Sequence, residues 1–270
     1  MEAIVTREPG PSFTRQIATL LLPKEHGSWS LALEPLALGL LVAPSVAGGA
    51  LAVAAIAGFF LRRPLKSMLR EPSVAQRKRT MICVFVLTVI ALAGLLLAAK
   101  FASAEKLWPL IPAALASVAF AWFDSRNEAR AEAAELAGTV AFGILPAAFG
   151  ALAGWSMIES LALAAVMLTR SVPTVLFVRT YMRLRKGRTA TRTPSCIAAG
   201  FGFILLTWLV IFRIAPWPAM VFGFLLATRT FWLLGESRLR FAPKIVGTME
   251  MILGVAMVLT LAVAWKFFHS

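Results

Sequence analysis

Residues 77–100 read RKRTMICVFVLTVIALAGLLLAAK. From Thr80 to Ala99 no residue is charged, and basic residues close both ends. A bilayer core of about 30 Å takes about 20 helical residues, so this run predicts a transmembrane helix. The same pattern recurs on either side of it. Spans are expected at 28–44, 47–61, 80–99, 107–123, 133–154, 158–178, 195–212, 217–234 and 245–265. Pro44-Ser45 and Gly48-Gly49 are expected to supply the turn between the first two.

Composition agrees. Of 270 residues 59% are hydrophobic, with mean hydropathy +0.80, whereas a soluble domain is about 45–50% apolar. So short a chain cannot bury that excess internally, and lipid must cover much of it. The expected fold is therefore all-α, a polytopic membrane bundle of about nine helices. Residues 1–27 form a cytoplasmic N-terminal segment with a surface helix, and 28–270 form a single transmembrane domain. The apolar run Ile17 to Leu22, ended by Pro23, is too short for a signal-peptide core, so the first true span should direct insertion. Cys83 and Cys196 lack metal-ligand spacing and read as packing residues.

The net charge of +14 would suggest nucleic acid in a soluble protein. Here Lys and Arg fall between apolar spans and report topology instead, so no nucleic-acid partner is expected. With the N-terminus inside, 21 of 27 basic residues lie on inner loops, against four outside: Lys100, Lys106, Arg213 and Lys266. The positive-inside rule then predicts an N-terminus in the cytoplasm and a C-terminus outside.

Ionisable residues within spans cost about 2.5–3.5 kcal/mol each, and by default they mark function. Glu34, Arg170, Arg229 and Glu250 are such residues, on four helices at similar depth in the inner half. They predict a cavity open to the cytoplasm; mutual ion pairing that locks the bundle is the plainer alternative. His26 and Glu34, eight residues apart, share a helix face if the first helix starts early. Lys24 joins them at the mouth of that helix. Asp124, Glu128 and Glu132 step by four and would align on a continuous helix. Such a stripe can hold Mg²⁺ beside a phosphate, but Arg126 and Arg130 are interleaved, and no metal ligands are assigned. Arg179 and Arg183 share a face, and their forked guanidinium groups suit phosphate or carboxylate oxygens. Pro173 frees a carbonyl inside its span.

The candidate catalytic residues are thus His26, Glu34 and Asp124. The candidate substrate-binding residues are Lys24, Arg62, Arg63, Arg126, Arg170, Arg179, Arg183, Arg229 and Glu250. No cofactor can be named.

Several segments together resemble the YwiC-like family of bacterial membrane proteins. They are Pro-Lys-Glu-His-Gly-Ser-Trp at 23–29 with Glu34-Pro35, Arg62-Arg63-Pro64-Leu65, Asp124 with Arg126, and Ala-Glu-Leu-Ala-Gly at 134–138. Arg170-Ser171-Val172-Pro173, Tyr181-Met182-Arg183 and Lys244 to Glu250 complete the set. The resemblance implies a bacterial inner-membrane protein and no particular chemistry. A looser architectural resemblance is to the UbiA-type intramembrane prenyltransferases, which bind a prenyl pyrophosphate through Mg²⁺ on two Asp-rich loops. Neither Asp-rich motif is present; Arg62, Arg63 and Lys66 stand at one place and Arg179 and Arg183 at the other. Three functions follow: an enzyme acting on an anionic lipid or prenyl phosphate, a small-anion transporter, or an accessory subunit of a membrane assembly. Membrane lipid is the expected partner, and protein partners are not identified. Polar residues confined to one half of the membrane favour the first over the second.

Overall fold

The computed structural model describes residues 26–68, 74–126, 128, 131–235 and 241–268. Among them the chain is helical, with no strand. The helices are α1 His26–Val42, α2 Val46–Met68, α3 Val74–Phe101, α4 Leu110–Ser125 and α5 Glu132–Gly143. They continue as α6 Leu145–Leu152, α7 Met157–Arg185, α8 Thr193–Ile211, α9 Pro218–Leu233 and α10 Pro243–Phe268. A short 3₁₀ turn, Ala104–Leu107, precedes α4.

Among the described residues seven segments are long and apolar enough to cross a bilayer, counting α5 and α6 as one, and two shorter apolar helices accompany them: Trp29–Val42 and Pro218–Leu233. The chain is a multi-pass membrane protein. Large apolar side chains point outward along the spans, including Phe85, Leu96, Leu115, Val118, Ile204 and Phe267, as lipid-facing surfaces require.

Several boundaries differ from expectation for local reasons. The first turn is made at 43–45 alone. The Ser45 hydroxyl accepts from the Gly48 amide at 2.9 Å, capping α2, so Gly48 and Gly49 are already helical. The expected span 133–154 is broken at Ile144. Pro146 has no N–H to offer one turn back, and its ring crowds the preceding turn. The chain therefore restarts as α6, whose eight residues are all buried.

Small residues allow close approach. Phe149 of α6 is fully buried and fills the space left by Gly39 of α1 and Gly48 of α2. At Gly94 of α3 an added Cβ would lie 2.7 Å from the Ala50 carbonyl oxygen of α2. Trp29, Phe59, Phe60 and Phe142 form an aromatic cluster joining α1, α2 and α5. α7 is central, burying residues along most of its length from Ser160 to Tyr181. Near its end, the Tyr181 hydroxyl donates to the Phe241 carbonyl at 3.2 Å and accepts from the Phe241 amide at 3.1 Å. That pair pins the chain entering α10.

Candidate functional site

Four helices each bring one ionisable residue to a common point: Glu34 of α1, Arg170 of α7, Arg229 of α9 and Glu250 of α10. Glu34 lies eight residues into α1, Glu250 seven into α10, and Arg229 four before the end of α9. At 1.5 Å per residue these three lie about 6–12 Å from the near ends of their own helices, on the side where α2 finishes in basic residues, whereas Arg170 lies about 22 Å before the end of the longer α7.

Glu250 is the hub. Arg170 Nη1 donates to its Oε2 at 3.0 Å, and Nη2 donates to its backbone carbonyl at 2.7 Å. Arg229 Nη1 pairs with its other carboxylate oxygen. The Thr174 hydroxyl, one turn along α7, donates to the Arg170 carbonyl at 2.7 Å and stands 3.4 Å from Glu250 Oε2. Glu34 is held more loosely. Arg170 Nη2 is 3.6 Å from its Oε1, and the Ser30 hydroxyl donates to the same oxygen. Glu34 reaches this position across α10 because Gly254 has no side chain; a Cβ there would overlap the carboxylate. The Arg229 guanidinium lies over the Phe177 ring, 4.2 Å from its centroid.

These groups are closed in. The side chains are 2% exposed for Arg170, 9% for Arg229 and Glu250, and 11% for Glu34. The four residues gather as expected, but they form a paired cluster and not the walls of an open cavity. A shallow depression of about 350 Å³, lined by Arg77, Lys78, Met81 and Ile82, lies at the start of α3 and shares none of them. The pairing is also incomplete. Arg170 Nε and Arg229 Nε and Nη2 are buried donors that meet no acceptor among the described residues.

The other expected site residues fall elsewhere. Arg62 Nε donates to Asp124 Oδ2 at 3.1 Å, and Lys66 binds the other carboxylate oxygen. Arg62 also lies 4.3 Å from the Phe120 ring centroid. Arg63 is half-buried on α2. Arg126 stacks on Trp122 at 4.1 Å. Arg179 pairs with Glu135 at 2.9 Å and with Glu132 at 3.5 Å, while Arg183, one turn on, is exposed. The basic residues expected around one head group thus separate into three sets with different carboxylate partners. The carboxylate stripe of Asp124, Glu128 and Glu132 does not form, because α4 stops at Ser125 and α5 starts at Glu132. No cluster of three His, Cys, Asp or Glu residues able to hold a metal occurs among the described residues. Lys24 and the His26 side chain lie outside the described part of the structure.

Sequence reasoning assigned no site role to Ser30, Thr174 or Gly254, and it named Lys66 beside Arg62 without making it a site residue. A signal existed for each: all four stand one turn, four residues, from Glu34, Arg170, Glu250 and Arg62 respectively.

Compared with known proteins, residues 22–149 match the family described as YwiC-like protein. The YwiC-like resemblance is borne out over that stretch, which holds Glu34, Arg62, Lys66 and Asp124; Arg170, Arg229 and Glu250 lie beyond it. Neither the curated proteins nor the solved structures gave a match.

Proposed function

We propose that this membrane protein binds the anionic head group of an apolar-tailed ligand, a prenyl or other lipid phosphate, at Arg170 and Arg229. The observation that supports the reading is the set of three guanidinium donor nitrogens, buried and without an acceptor among the described residues, beside a cluster already neutral in itself. Leaving buried donors unmet costs about 1–3 kcal/mol each. Phosphate oxygens suit them, because guanidinium presents donors in a planar fork. The basic loops, read by the positive-inside rule, support a cytoplasmic position for this end of the bundle, with the N-terminus inside. The ligand head enters from that side, and its tail lies among the lipid-facing helices. The reading depends neither on Mg²⁺ nor on a UbiA-type arrangement.

The mutual neutrality of two arginines and two glutamates favours a second reading, a purely structural clamp in an accessory subunit. Equilibrium binding to the full chain in lipid nanodiscs separates the two. Farnesyl monophosphate should bind saturably, more tightly than inorganic phosphate. Arg229→Lys should weaken binding at least tenfold while melting near the wild type, since it keeps the charge but loses the fork. Equal binding of the two probes points to a small free anion and the transporter. Binding that survives Arg229→Lys and Arg170→Gln alike ends the assignment and leaves the clamp.

A further inference from the structure

Arg170, Arg229, Glu34 and Glu250 sum to zero charge when all are ionised. A monoanion received by the two arginines leaves one negative charge in excess, at a depth where uncompensated charge is strongly disfavoured. The excess is removed most easily at the carboxylate that is held least.

The two carboxylates are unequal. Glu250 takes Arg170 at 3.0 Å, is paired with Arg229, and has the Thr174 hydroxyl 3.4 Å away. Glu34 faces a single guanidinium at 3.6 Å, outside hydrogen-bond reach, and the Ser30 hydroxyl. The elements packed on α1 are α2, α5, α6, α7 and α10. α10 turns Glu250 and Gly254 toward Glu34, and α7 turns Arg170 toward it. On α5, Glu132 and Glu135 are engaged by Arg179, and on α2 Arg62 and Lys66 are engaged by Asp124. Arg63 is half-buried on α2. Residues 145–152, forming α6, include no ionisable residue. Arg170 is thus the cation that faces Glu34, and it is one of the two that the ligand would engage.

We infer that binding of a monoanion at Arg170 and Arg229 is coupled to uptake of a proton by Glu34, so that anion and proton enter the cluster together. The inference rests on the anion-binding reading above and adds the co-substrate. The proton comes from hydronium or a buffer acid in the water at the basic end of the bundle: that donor's bond to the proton breaks, its conjugate base stays in solution, and an O–H bond forms on a Glu34 carboxylate oxygen. The carboxylate loses its charge as the anion brings one, and no bond of the anion is made or broken.

The test is calorimetric titration of the full chain in nanodiscs with farnesyl sulfonate, whose charge does not change across the neutral range. Methanesulfonate serves as the head-group-only arm. Repeating the titration in buffers of different ionisation enthalpy counts the protons. The expected result is uptake of about one proton per anion, with the dissociation constant rising about tenfold per pH unit where Glu34 is ionised. Glu34→Gln should bind the anion more tightly at high pH and take up no proton, because its cluster begins with an excess positive charge. Saturable binding to the wild type with no proton uptake overturns the coupling and leaves the binding reading intact. Absence of binding for both probes overturns both. The wild-type measurement decides without help from the variant, so it holds even if Glu34→Gln does not fold.

Discussion

Arg170 grips Glu250 at two points, through the carboxylate at 3.0 Å and through the peptide carbonyl at 2.7 Å. The second contact fixes the backbone of α10 and not merely a side chain. Removing one partner of a buried pair costs about 3–5 kcal/mol, because the other is left uncompensated. Glu250→Gln deprives both Arg170 and Arg229 of a counter-charge, so thermal unfolding in detergent should show a loss of that size. Glu135→Gln removes a half-exposed partner of Arg179 and should cost at most about 1 kcal/mol. Similar losses for both would show that the Glu250 pairing is not buried as described.

Gly254→Ala places a methyl group where the Glu34 carboxylate lies. Either α1 and α10 separate or Glu34 leaves Arg170. Overpacking of this kind costs about 1–3 kcal/mol. Gly58→Ala, with open space around its Cβ position, should change stability by less than about 1 kcal/mol. Equal melting temperatures for the two variants would remove the close approach of Glu34 to α10.

Gly94→Val tests the α2–α3 contact. The neighbour there is the Ala50 carbonyl oxygen, part of a helical backbone that cannot rotate aside. A loss of about 1–3 kcal/mol is expected in thermal unfolding.

Orientation is tested by cysteine accessibility in a background lacking Cys83 and Cys196, with single cysteines at Ser103 or Thr189. Both positions are exposed and at opposite ends of the bundle. If the basic end is cytoplasmic, an impermeant maleimide labels Ser103→Cys in intact cells and Thr189→Cys only after the membrane is opened. The reverse pattern would invert the topology and move the buried cluster to the outer side.

The spans were legible because a run such as 80–99 has one explanation, and helix length follows from bilayer thickness. The four cluster residues were legible because charge inside a span is rare enough to stand out. Partner choice was not. Arg62, Arg170 and Arg179 look alike in the sequence, yet their carboxylates come from α4, from α1 and α10, and from α5. Which face each helix turns inward decides this, and that depends on packing between distant segments. The carboxylate spacing at Asp124, Glu128 and Glu132 promised a stripe only if the helix continued, and it stops at Ser125. Pro146 did carry the signal for the break between α5 and α6, but continuous hydrophobicity over 133–154 masked it.

The order of the cluster along the chain, Glu34, Arg170, Arg229, Glu250, bears on how the protein is made. Eighty residues separate Arg170 from Glu250, so during synthesis α7 enters the bilayer well before its tightest partner exists. Glu34 is already in place by then and can shield that guanidinium as it arrives. Glu34 itself waits for Arg170, and Arg229 waits for Glu250, which follows it 21 residues later. A nascent chain thus never holds more than a single unmatched charge of the cluster in lipid. Loss of Glu34 should therefore impair membrane insertion of α7 in a translating ribosome before it affects the finished fold.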